Sequence, residues 1–271
     1  MGPLLDQGKR NILGVLVDVV DYEAAVRRVL MAAREGRGLG ATALAVHGVM
    51  TGVGDTFCRY RLNHLDLVTP DGQGVRWGLN LLYGLGLNDR VYGPRLSLEI
   101  CAAAAAAELP IYLYGSRPAV LSRMISNLQE RFPTLLIAGA TPSAFRRTTQ
   151  QEKADIAKRI RGSDARITFV GLGCPRQEVF VYEYRESLGM PVVAVGAAFD
   201  YLAGVLSEPP PVIQQIGLQW LYRLAQEPRR LWKRYALLNP AFASLLFLQA
   251  TGLWRPNPND TEEPPFELLY G

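Results

Sequence analysis

Residues 165–178, ARITFVGLGCPRQE, read as a buried strand that runs into a glycine-rich turn and opens a helix. Ile167, Phe169 and Val170 form a short β-branched and aromatic run. Gly171 and Gly173 let the chain turn sharply where a Cβ would obstruct it. Such a turn leaves free N–H groups at a helix start beside the carboxyl end of a strand, where open α/β sheets take nucleotides and phosphates. A GxG after a strand is commonly no more than a tight turn, and the third glycine of a dinucleotide fingerprint is missing, so NAD is not favoured.

Outward from this stretch, strand-like runs at 12–17, 41–47, 65–69, 110–114, 135–140 and 191–195 alternate with helical patterns. Asp21 is placed to cap one helix, Pro94 opens another, and Thr149 with Glu152 has capping-box spacing. The alternation predicts a Rossmann-like, mainly parallel sheet with helices on both faces over 1–204. Beyond Gly204 the pattern changes. Residues 205–254 contain three of the four tryptophans, with Arg223, Arg229, Arg230, Lys233 and Arg234 set among Trp220, Tyr222, Trp232 and Tyr235. This predicts a helical appendage, with Arg223, Arg230 and Arg234 spaced to share one face. Residues 255–271, proline-rich and acidic, are expected to be disordered.

With 271 residues, 49% of them hydrophobic, the chain can bury one large core and still carry an appendage. A net charge of +4 does not call for nucleic acid. Three scattered cysteines and two histidines give no metal-ligand spacing and suit a reducing compartment, so no metal and no cofactor are expected. No segment reaches the roughly 18 apolar residues of a membrane span, and none reads as a signal peptide. The chain is expected to stay on the cytoplasmic side.

The candidate chemistry gathers at strand ends. Asp71, in TPDGQG, presents a carboxylate on a tight turn, as a general base requires; helix capping explains it equally well. Arg90 offers a fork of donors that suits a diphosphate, and Gln177, just inside the helix after the GLG turn, could bond a sugar hydroxyl. Gly115 and Ser116 form a second turn at the same edge, and His47 stands at the end of the second strand run.

Six ordered motifs resemble the WecG/TagA/CpsF family of bacterial glycosyltransferases: DLVTPDGQGV at 66–75, RVYGPRL at 90–96, IYLYGS at 111–116, FVGLGCPRQE at 169–178, GAAFDYLAG at 196–204 and GLQWLYRLAQEPRRLWKRY at 217–235. The resemblance implies metal-independent, inverting transfer of a sugar from a UDP-sugar to a polyprenyl-diphosphate-linked saccharide, at the cytoplasmic face of the membrane. It places the base on Asp71, donor contacts on Arg90 and Gln177, and the acceptor diphosphate on Arg223, Arg230 and Arg234. Gly115, Ser116, Gly171 and Gly173 become the nucleotide edge.

Two departures stand out. Ala45, Val46 and His47 replace the family's usual TxN, and Glu208, Pro209 and Pro210 replace its RAP. They leave the sugar open between N-acetylmannosamine and another hexose, and give His47 a part in choosing it. A catalytically inactive membrane-attached scaffold is the other reading, and self-association is left open.

Overall fold

The computed structural model describes residues 4–215 and 217–271. Strands β1 (Asp6–Ile12) and β2 (Val15–Val20) form an antiparallel hairpin. A single strand over 12–17 was expected. The chain instead reverses at Leu13 and Gly14, both at positive φ (54° and 90°), which match the right-handed twist of a two-residue hairpin.

The main sheet contains β3 (Leu39–Leu44), β4 (Leu67–Pro70), β5 (Ile111–Gly115), β6 (Ile137–Thr141), β7 (Ile167–Gly171) and β8 (Pro191–Ala194). They lie in the order β4-β3-β8-β7-β5-β6, and every pairing is parallel, as the alternation predicts. All four residues of β8 and the first four of β7 are buried, as a central strand covered on both faces requires.

Two hydrophobic clusters lie on the two faces. One holds Val49, Leu62, Ile160 and Phe180; the other holds Val29, Ile100, Met124 and Phe199. The hairpin is tied to β4 by Asp18, a buried carboxylate that accepts from Val68 N at 2.7 Å and pairs with Lys9 and Arg28 at 2.8 and 2.9 Å. Local signals hold at helix starts. Asp21 accepts from Ala24 N at 2.8 Å, and the Thr149–Glu152 capping box forms.

At the carboxyl edge, β5 and β7 converge. Gly115 has φ 117°, and a Cβ there would stand 2.8 Å from the Gly171 carbonyl oxygen, so glycine is required.

The segment after 204 forms helices Pro211–Gln215, Gln219–Gln226 and Pro228–Ala250. The last buries Leu231, Phe242 and Leu246, and Phe242 and Leu246 join the cluster that holds Ile12, Val75 and Leu79. The appendage is therefore packed on the core. Residues 255–271, expected to be disordered, are instead hydrogen-bonded to the core. Asn11 Nδ2 donates to Pro256 O at 2.7 Å, Thr148 N to Leu269 O at 2.7 Å, and Leu268 N to Glu183 Oε1 at 2.7 Å. Their composition cannot build a core, but their backbone groups find partners on one already built. Among the described residues no helix is long and apolar enough to cross a membrane.

Candidate active site

The site grows from the end of β4. Asp71 N donates to Leu44 O at 3.1 Å and to Thr69 O at 2.9 Å, which fixes the turn at the carboxyl edge. The next helix, Gln73–Tyr83, has Gly72 at its N-cap and no side-chain cap bond. Asp71 is thus free of the capping role that spacing alone left open. Its Oδ1 lies 3.4 Å from Arg90 Nη1; the two side chains are 18% and 6% exposed. The Arg90 guanidinium also stacks 4.0 Å from the Tyr92 ring centre. Burial pushes the Asp71 carboxyl up from its ordinary value, against the opposing pull of Arg90, the Gly93 backbone N–H and Arg223.

Asp71 lines a cavity of about 450 Å³. Its wall carries Ala45, His47 and Arg90 from the core and Arg223, Arg234 and Tyr235 from the appendage, and Trp77, Leu238, Phe242 and Leu246 make it apolar elsewhere. His47 lies in the first turn of helix Val46–Gly54, not on a strand, because β3 stops at Leu44. Burial, with Arg234 nearby, pushes its imidazole down to about 4, so it is neutral at pH 7. Among the described residues the buried Arg223 Nε makes no hydrogen bond, its ion-pair partner Glu227 standing 3.8 Å away, so the donor is suited to an anion. A second, larger cleft of about 920 Å³ meets the first at Gln73, Arg90, Tyr92, Tyr201 and Gln219, and carries Arg76, Arg95, Arg131 and Glu208.

The sequence profile described as the glycosyl transferase WecG/TagA/CpsF family matches residues 10–256. The chain belongs to the WecG/TagA/CpsF family. It is 30% identical over 174 residues to proteins of Bacillus subtilis and Bacillus spizizenii, each named N-acetylglucosaminyldiphosphoundecaprenol N-acetyl-beta-D-mannosaminyltransferase. These matches span 64% of this chain and 65% of each relative.

Of the residues singled out from WecG/TagA/CpsF motifs, the fold brings His47, Asp71, Arg90, Arg223 and Arg234 to one cavity. Arg230 lies elsewhere. It is 53% exposed and pairs with Glu227 at 2.8 Å, and the break in the helix between Gln226 and Pro228 removes the register that would have set it on one face with Arg223. Gln177 lines neither cavity. It is buried, its Oε1 accepting from Gly173 N at 3.1 Å and its Nε2 donating to Glu178 Oε1 at 2.9 Å. Gly115, Ser116, Gly171 and Gly173 also lie outside both linings, and Ser116 N donates to Gly171 O at 3.0 Å, joining the two turns.

At the TxN departure, Ala45 is the N-cap of its helix and offers no side-chain bond, while His47 occupies the cavity wall. At the other, Glu208 faces the larger cleft's lining. Tyr92, Tyr201 and Trp77 were not singled out from sequence. Tyr92 and Tyr201 stand inside the quoted motifs RVYGPRL and GAAFDYLAG, which was the available signal. Among the described residues no group of three His, Cys, Asp or Glu side chains could hold a metal.

Proposed function

We propose that the protein is an inverting glycosyltransferase that moves a hexose or N-acetylhexosamine from a UDP-sugar to a polyprenyl-diphosphate-linked saccharide, in cell-envelope or exopolysaccharide synthesis. The observation that carries this reading is the Asp71 carboxylate, uncommitted to capping, beside Arg90 in a partly apolar cavity shared with two appendage arginines. Asp71 takes the proton of the acceptor hydroxyl as its oxygen bonds to the anomeric carbon. The bond from that carbon to the UDP oxygen breaks, its electron pair leaves on the diphosphate, and the configuration inverts. Arg90 bears on both steps, since it stabilises the ionised base and adds positive charge where the diphosphate departs. The relatives' names supply the acceptor class, a sugar on a polyprenyl diphosphate.

The acceptor diphosphate is assigned to Arg223 and Arg234, and its lipid to the apolar side of the cavity. On this reading Arg223→Gln and Arg234→Gln each raise the acceptor KM by roughly ten- to hundredfold, the usual worth of a charged hydrogen bond. Arg230→Gln changes it less than about threefold, as expected for an exposed pair. Equal effects at all three positions would remove the cavity from the assignment.

The protein is proposed to act at the cytoplasmic membrane face. Trp220, Trp232, Phe247 and Leu253 are exposed on the appendage, close in sequence to Arg229 and Lys233, a composition suited to an anionic interface. The deciding experiment measures UDP release from a panel of UDP-sugars with lipid-linked acceptor in anionic liposomes, with and without EDTA, and identifies the product by mass spectrometry. One donor should turn over in EDTA with sedimentable enzyme, and His47→Asn should change the ratio of kcat/KM among donors. No UDP release with any donor would leave the scaffold reading in its place.

A further inference from the structure

We propose that Glu178 is a positioning residue of this site, a buried carboxylic acid that sets the glycine turn after β7 against β3 and the helix that carries His47. Glu178 is 2% exposed. Its Oε1 accepts from Thr42 Oγ1 of β3 at 3.0 Å and from Gln177 Nε2 at 2.9 Å, and Gln177 in turn holds Gly173 N. Thr42 lies on the strand Leu39–Leu44, which runs directly into helix Val46–Gly54, the helix that carries His47. One side chain therefore joins the turn to the strand that leads into the His47 helix. The turn lies against that helix, since a Cβ on Gly48 would be in ordinary contact with Cys174 Sγ at 3.7 Å.

The second oxygen, Oε2, is buried with no hydrogen-bond partner among the described residues. An ionised carboxylate with one bare oxygen in this setting would carry a large desolvation cost. Burial raises its affinity for a proton, against the opposing pull of Gln177, its own backbone N–H, Thr42 and Cys174, none of them a cation. The neighbouring helix Thr56–Asn63 adds the buried Cys58, with Asp55 and Arg61 close by. On this proposal the bare, buried Oε2 carries a proton and Glu178 is neutral. Its carbonyl oxygen accepts the two bonds, and the proton sits on the other oxygen.

The kinetic part of this inference rests on the glycosyltransferase reading; the protonation and binding parts do not. In the full-length protein at neutral pH, the infrared carbonyl stretch of a protonated carboxylic acid should be present in the wild type and absent in E178Q. It should move to higher frequency in T42V, which takes away one of its two hydrogen bonds and keeps the volume. E178Q retains a neutral acceptor, so UDP affinity by calorimetry and kcat/KM should stay within about threefold of wild type. E178L orphans Thr42 and Gln177 together, and UDP affinity should fall roughly ten- to hundredfold while the acid limb of the kcat profile, set by Asp71, stays in place. Should E178L not fold, the band shift in T42V with a smaller loss of UDP affinity carries the same test. A wild-type spectrum without the band, an unmoved band in T42V, or an E178Q variant as impaired as E178L would overturn the proposal. The last outcome would mean that the ionised carboxylate itself is needed. If sugar transfer proves absent altogether, the infrared and UDP-binding results still decide the role of Glu178.

Discussion

Asp71→Asn is expected to lower kcat by about 10² to 10⁴ while UDP affinity stays nearly unchanged. A sugar hydroxyl is a weak nucleophile at neutral pH, and a positioned base supplies roughly 3 to 5 kcal/mol of the barrier reduction. Asparagine keeps the shape of the side chain but cannot take the proton. A capping aspartate would tolerate the change, since both residues cap well; here the following helix makes no side-chain cap bond to Asp71. Stopped-assay turnover of the folded variant with saturating donor and acceptor checks this. Turnover within a few-fold of wild type would remove Asp71 as the base.

Arg90→Met is expected to lower kcat by roughly 10² to 10³, the scale for losing one preorganised charge at a reacting oxygen. It should also move the pH profile, and the sign follows from the ion pair. Asp71 acts when ionised, so kcat rises with pH through its pKa. Burial already places that pKa above the ordinary aspartate value, and Arg90 is the first group that opposes the rise. Without the guanidinium the carboxyl holds its proton to higher pH, and the acid limb of kcat shifts upward. The wild-type limb should itself lie above the ordinary carboxylate range. A limb that stays in place or shifts downward in Arg90→Met, measured from about pH 4 to pH 9, would separate Arg90 from the base. Methionine retains apolar volume over Tyr92, so loss of packing is kept small.

Much of the fold was legible because its signals are local. Alternation of buried runs with helical spacing led to a mainly parallel sheet, and the pairings in the six-stranded sheet are all parallel. Asp21 and the Thr149–Glu152 pair capped their helices, since a cap needs only residues three apart. The hairpin was missed because its turn needs Leu13 at positive φ, which leucine rarely adopts and no composition rule announces. The tail was read as disordered from its prolines and acids. Its order comes from partners far along the chain, Asn11, Thr148 and Glu183.

By itself the sequence determined the alternation of strands and helices from residue 15 to 204, the caps, the glycine turns and the motif set that marks the family, because each depends on neighbours within one or two turns of chain. Only the tertiary structure decided which of the marked residues meet. Burial of Phe242 and Leu246 against the core carries Arg223 and Arg234 to the Asp71 cavity, while Arg230 is left on the surface beside Glu227. It also turned Gln177 inward to Gly173 and Glu178, away from both cavities. The side-chain identities were readable in advance. Their directions were set by long-range packing and by the need of buried polar groups for partners, neither of which sequence spacing encodes.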